Sequence, residues 1–306
     1  MIGCFGKVPA SADFISLHGA APEVREFDRW LQTWLAPPAQ GGDWRAAFDR
    51  LPVHFFCYRG RSGNWLLGGM ISSRDSSERR YPFMIFQLLK ASVMSPLVNP
   101  FTLCELFWSQ IKPLLHLAVQ NESVSGLFGR INALRSLEAQ DVKLFERVHE
   151  KFLQNLSFDD IRKSLEPAYP EYVPGVALSR LRDLRAHWHS DSDVAVSLPL
   201  PAERAFKNPV ADLWITWLNR LGQRLPVLSL LADDFIRPRL ICFASRNTSG
   251  GYYGLTGAVD HDEHYDVLAP CGEIHGRNRP ATWPDQHLPL STFIDQFVDT
   301  LGVKSK

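Results

Sequence analysis

Two groups of residues in this chain have types and spacing that could do chemistry. From Asp260 to Asp266 the sequence reads Asp-His-Asp-Glu-His-Tyr-Asp. His261 and His264 with a neighbouring carboxylate form a donor set for a divalent metal. Their spacing matches no defined ligand motif, and Cys271 and His275 do not complete one, so a solvated acidic loop is the plainer reading. The second group is the connection Ser72–Tyr81, where Arg74, Arg79 and Arg80 face Asp75 and Glu78. A link between strands needs only turn residues. One this charged holds its own shape through ion pairs or presents a binding surface. The enzyme reading combines these features: a metal-dependent or other hydrolase using Asp13 and Asp75 or the His261–His264 cluster.

Other chemical signatures are missing. The sequence has no G-x-S-x-G, no Walker A loop and no G-x-G-x-x-G after a strand. Gly250–Gly257 is glycine-rich but lacks the lysine and following helix of a phosphate cradle. His187 and His189 close a helix, where imidazoles complement the dipole. Cys4 has no histidine near it in sequence. No cofactor and no metal are expected. For the charged loop two roles stand open. Arg79 or Arg80 pairs with Asp13 or Asp75 and locks distant segments together, or exposed arginines meet an acidic or phosphorylated surface.

The elements that must position these residues follow from hydrophobic periodicity. The charged loop lies between two apolar runs, Leu66–Ile71 and Phe83–Leu89, which read as buried strands. Ile2–Val8 and Val53–Tyr58 add strands by their aromatic and β-branched content, giving an antiparallel sheet of about four. Phe27, Trp30, Leu31 and Trp34 mark a helix over Pro22–Ala36, and a short one covers Trp44–Leu51. A long apolar helix follows Asn99-Pro100, with Thr102 and Glu105 at capping-box spacing and a kink expected at Pro113. Leu127–Leu165 is helical, with a fresh start at Ser157. Val194–Leu198 and Arg239–Ala244 read as strands. Asn208-Pro209 is expected to cap a helix that presents Trp214, Trp217 and Leu221 and ends at Gly222.

The totals narrow the class. The 306 residues carry 33 basic against 33 acidic side chains, a poor balance for a nucleic-acid binder. The five cysteines are odd in number, contain no C-x-x-C and lie mostly in apolar runs, as free thiols in a reducing compartment do. The N-terminus has no signal-peptide pattern, and no run is long enough for a membrane span. A cytoplasmic protein without membrane insertion is expected.

Three segments together resemble the TagF family (also called ImpM) of type VI secretion-associated proteins. Gly6-Lys7-Val8-Pro9-Ala10-Ser11-Ala12-Asp13-Phe14 is similar to the family's G-K-[LV]-P-x-x-G-D-F opening. Ser73, Asp75, Arg79, Arg80, Tyr81 and Pro82 follow its S-x-D-x-x-G-R-x-[YF]-P segment. Trp214 and Trp217, leading to Leu225-Pro226, resemble its late tryptophan helix. Ala12 and Glu78 stand where the family has glycine, so a different turn is expected at both. The resemblance spans roughly residues 1–260 and carries no catalytic residues. It implies a non-enzymatic repressor of type VI secretion that binds a component such as a forkhead-associated scaffold protein. The expected fold is α+β: an antiparallel sheet with flanking helices over 1–120, a helical section over 121–190, a smaller α/β portion over 191–269, and an irregular tail with a short helix over 270–306. Asp13 and Arg79 or Arg80 are expected to meet.

Overall fold

The computed structural model describes residues 1–35, 44–93, 99–189, 192, 194–246, 264–267 and 283–301. The apolar runs of the N-terminal part form five strands: β1 (Ile2–Gly6), β2 (Ile15–Leu17), β3 (His54–Arg59), β4 (Trp65–Ile71) and β5 (Phe83–Leu89). Helices α1 (Pro22–Trp34) and α2 (Trp44–Asp49) lie between β2 and β3. The helical section comprises α3 (Pro100–Ala118), α4 (Val124–Asn132), α5 (Ala139–Asn155), α6 (Phe158–Leu165) and α7 (Pro174–Leu184). Then come β6 (Ala195–Pro199), α8 (Arg204–Gly222), β7 (Leu228–Ala232), β8 (Arg239–Phe243), β9 (His264–Asp266) and α9 (Leu290–Thr300).

All the strands join one nine-stranded sheet in the order β2-β1-β5-β4-β3-β7-β8-β6-β9. Every pairing is antiparallel except β6 with β9. The seam is β3, which pairs with β4 on one side and β7 on the other, Phe56 standing opposite both Gly68 and Leu230. Strands from the spans 1–120 and 191–269 therefore share a sheet, and one core runs from Cys4 in β1 to Phe297 in α9. The architecture is α+β, as expected.

Strands β3, β4 and β5 are apolar at nearly every position because helices cover both faces of the sheet. Phe56, Tyr58, Leu66, Met70 and Phe86 pack with Phe27 and Trp30 of α1. Phe55, Cys57, Leu67 and Ile85 turn the other way, into the core shared with α3 and α8. The four described cysteines, Cys4, Cys57, Cys104 and Cys242, are buried there as unpaired thiols.

Several local expectations are corrected. Thr102 and Glu105 make no capping box: the N-cap is Asn99, without a side-chain cap bond. Instead Asp212 of α8 accepts the backbone N–H groups of Phe101 at 2.8 Å and Thr102 at 2.7 Å. The start of α3 is thus capped from 110 residues away. Pro113 lies inside α3, which continues to Ala118. Asn208-Pro209 does not begin α8; the helix starts at Arg204 and runs through Pro209. Lys207 anchors that extra turn through Asp233 at 3.2 Å and the Asp234 carbonyl at 3.3 Å. The left-handed residue closing α8 is Gln223, at φ 51°, rather than Gly222. Gly222 is small for another reason: a Cβ there would lie 2.5 Å from Trp188 Cδ1.

Candidate functional site

The two N-terminal signature segments are the β1–β2 loop, Lys7–Phe14, and the β4–β5 loop, Ser72–Pro82. They are brought together because β1 pairs with β5, placing Gly6 opposite Phe83. Their backbones touch where the loops begin. Gly6 has φ 136°, and a Cβ on it would lie 2.1 Å from the Pro82 carbonyl oxygen. Only glycine fits that position. Further out, Ser76 N–H donates to the Ser11 carbonyl at 2.9 Å. Pro9 sits just inside a turn closed by Ser11 N–H to the Val8 carbonyl, a position its fixed φ suits.

Asp75 is the centre of the junction and is buried. One carboxylate oxygen accepts the N–H groups of Ser77 and Arg79, each at 2.9 Å. The other accepts Lys7 Nζ at 2.5 Å and Arg79 Nε at 2.7 Å. Burial alone would raise its pKa. The donors from Lys7, from the Arg79 and Ser77 backbone and from the Arg79 side chain outweigh burial and hold it well below the usual carboxylate range. A carboxylate so fully engaged is a structural anion rather than a base poised near neutral pH. Lys7 is itself buried and lies 4.9 Å above the Phe14 ring.

Arg79 both braces and faces solvent. Besides Asp75 it donates through Nη2 to the Ala12 carbonyl, tying the two loops, while its side chain stays 58% exposed. Asp13 is only 3.9 Å from Arg79 with its side chain 94% exposed. The expected meeting of Arg79 with Asp13 and Asp75 is thus present, loosely at the surface with Asp13 and closely with Asp75, and the buried part of the lock is completed by Lys7 and the Ala12 carbonyl. Arg80 pairs with neither Asp13 nor Asp75. It makes a two-pronged bond to Asp49 at the end of α2, at 2.8 and 2.7 Å. Arg74 pairs with Glu78 at 2.6 Å in the open.

The substituted glycine positions behave differently from each other. Glu78 takes the left-handed conformation after all, at φ 62°, whereas Ala12 keeps a negative φ. A turn of the chain is thus preserved at Glu78 at a steric cost of about 1–2 kcal/mol. The loop's own hydrogen bonds hold it, Glu78 N–H to the Asp75 carbonyl and Asp75 N–H to the Arg79 carbonyl.

An aromatic cluster borders this network. Phe14 stacks on Phe5 at 5.2 Å and meets Tyr81 edge-on at 5.0 Å. Tyr81 is buried and its hydroxyl donates to Asp28 of α1. Ser73 supplies its carbonyl to Tyr81 N–H at 3.1 Å. Phe14, by contrast, is 42% exposed. Phe14, Asp13 and Arg79 lie together at the surface of the junction, and the exposed Arg74–Glu78 pair belongs to the same β4–β5 loop.

The remaining expected residues lie elsewhere. Trp214 and Trp217 are fully buried on α8, packed against each other and, through Trp217, on Phe158, Phe293 and Phe297. Trp214 Nε1 donates to the Pro199 carbonyl at 2.8 Å. They build core and not contact surface. Of the acidic cluster, residues 260–263 fall outside the described residues, as do Cys271, His275 and Gly250–Gly257; His264 begins β9. Among the described residues no group of three or more His, Cys, Asp and Glu side chains could hold a metal ion. No helix among them is long and apolar enough to cross a membrane. Two participants had roles that sequence reasoning missed: Lys7, a signature residue, as the buried partner of Asp75, and Asp49 as the partner of Arg80. Lysine between Gly6 and Val8 in an otherwise apolar run was the one available hint.

Comparison with known proteins bears on the same segments. Residues 3–134 match the family model of the TagF N-terminal domain, type VI secretion system-associated. That span includes both loops and stops well before Trp214, so it is narrower than the resemblance read from sequence. No curated protein matches. Among solved structures the chain is similar to PA0076 from Pseudomonas aeruginosa PAO1, at 22% identity and a TM-score of 0.38. That match covers 44% of this chain and 63% of the other, and at such a score it carries no argument.

Proposed function

Starting from a TagF N-terminal domain at residues 3–134, a type VI secretion system-associated module, we propose that this protein is a non-enzymatic repressor of type VI secretion. It acts in the cytoplasm by binding a component of the system, a forkhead-associated scaffold protein being the expected one. The contact surface is the face around Phe14 and Arg79. The observation that carries this reading is the contrast within the junction. Lys7, Asp75 and the Ala12 carbonyl are spent on rigidity, while Phe14 and much of Arg79 remain outside. An exposed aromatic ring beside an arginine, both held in place before binding, is the composition of an interface hot spot. Rigid loops also spare a partner the entropy of ordering them.

Titration of the purified scaffold component with this protein tests the proposal. Phe14→Ala is expected to weaken binding by about 2 kcal/mol, roughly thirtyfold, with a modest fall in melting temperature because the half-exposed ring also packs on Phe5 and Tyr81. Arg79→Ala is expected to lower both binding and melting temperature, since it removes a partner of buried Asp75. A parent protein that fails to bind the scaffold under any condition would sink the proposal. Undiminished binding by Phe14→Ala would move the contact surface elsewhere.

A further inference from the structure

Around the far ends of β3 and β8 lies an open cleft of about 960 Å³. Its charged lining is of one sign: Arg59, Arg61, Arg224 and Arg246, with His189, and no carboxylate among the described residues. In a chain with 33 basic and 33 acidic side chains, such a concentration is a local departure from neutrality. Arg224 just past α8 has a bland explanation, because cations complement a helix C-terminus. Arg59, Arg61 and Arg246 stand at strand ends, where no helix dipole calls for them. Arg246 donates through Nη2 to the Arg59 carbonyl at 2.6 Å and its guanidinium meets the Tyr58 hydroxyl, while its Nε–H is buried with no acceptor among the described residues. The neighbouring cleft shares Arg61 and Arg246 and contains Glu26. That carboxylate is already occupied by Tyr58 Oη at 3.1 Å and the Arg61 backbone N–H at 3.0 Å.

We propose that this arginine-lined cleft binds a phosphorylated segment of a protein. Every full cation in it is arginine, whose planar fork suits oxyanions in two-pronged geometry. A phosphate monoester brings close to two negative charges and three acceptor oxygens, enough to engage several guanidinium groups. Walls bearing one sign of charge focus the field on such a ligand. Nucleic acid fits less well. The chain as a whole is neutral, and the cleft's aromatic side chain, Trp188, is buried and offers no platform for a base. The volume far exceeds one phosphate group and accommodates flanking residues of a chain. This site lies on other elements than the Phe14 face, so it stands or falls independently of the scaffold contact.

Fluorescence anisotropy with the full chain and a labelled peptide mixture built around a fixed phosphothreonine tests the inference. Saturable binding is expected for the phosphorylated mixture and none for its threonine counterpart. A glutamate counterpart should bind at least about tenfold more weakly, and Arg61→Glu should weaken the phosphopeptide about tenfold, the worth of one charge-assisted contact. Arg61 is exposed and its fold contact is through its backbone, so the variant should melt with the parent. No binding of the phosphorylated mixture would overturn the inference. Equal affinity for the glutamate mixture would make this a site for acidic chain instead. Binding unaffected by both Arg59→Glu and Arg61→Glu would exclude the cleft, and tighter binding of inorganic phosphate than of peptide would exclude a protein segment.

Discussion

Asp212 gives the most searching test of how this fold is held. Its carboxylate, fully buried on α8, satisfies two N–H groups that α3 leaves open at its first turn. Replacing it with Ala abandons both donors in the core, at about 1–3 kcal/mol each, so roughly 2–6 kcal/mol should be lost. Asp212→Asn keeps one acceptor oxygen but turns an amide NH2 toward the other donor, so about 1–3 kcal/mol is expected. Urea unfolding followed by tryptophan fluorescence reads the order directly, because Trp214 and Trp217 sit one turn along the same helix and are buried. Near pH 4, where holding the carboxyl neutral costs nothing extra, the midpoint should fall from parent to Asn to Ala at unchanged slope. A pH series adds a second readout. Burial pushes the Asp212 carboxyl up to about 8, against the lowering by Thr102 and the two N–H groups. With the folded value above the unfolded one, the folded state binds the extra proton. This contribution is fully present below pH 4 and is lost as pH rises through 8. Between pH 6.5 and 8 the parent should lose about 1–2 kcal/mol that Asp212→Asn does not lose. Variants within about 0.5 kcal/mol of the parent would refute the cap across helices.

Other outcomes follow from the same structure. Glu78→Gly should leave stability unchanged or raise it by up to about 1 kcal/mol, while Glu78→Val should cost about 1–2 kcal/mol more than Gly, because a branched side chain resists positive φ; thermal melting of the pair decides. His54 and His149 are buried with pKa values pushed down to about 4, chiefly by burial. Their folded values lie below the unfolded one, so stability should fall as pH drops from about 6.5 to 4, by up to roughly 3 kcal/mol per histidine. Equilibrium unfolding of His149→Gln against the parent across that range should show a shallower acid loss. Finally, residues 1–134 expressed alone should aggregate or bind a hydrophobic dye, since they lose both Asp212 and the β7 partner of β3; a folded, soluble fragment would contradict the shared core.

Phe83–Leu89, Leu66–Ile71, the α1 face with Phe27 and Trp30, and the Ser157 helix start were all legible in the sequence, because each rests on local periodicity or a local cap. So was the partnership of the Gly6–Phe14 and Ser72–Phe83 segments. What escaped reading was every choice made by distant groups. Thr102 and Glu105 have the right spacing for a capping box, yet Asp212 occupies the donors first. Asp13 looked as good a partner for arginine as Asp75, and only burial separates them. Asp75 is enclosed by four donors, while Asp13 stays in water, where an ion pair is worth little. Trp214 and Trp217 looked like a signature and are core. Glu78 accepts a left-handed turn because hydrogen bonds around it outweigh the steric cost. Local pattern determined the elements and which two loops matter. The sheet that joins β3 to both β4 and β7 decided which polar groups are buried together, and burial is what turns a nearby charge into a fixed bond.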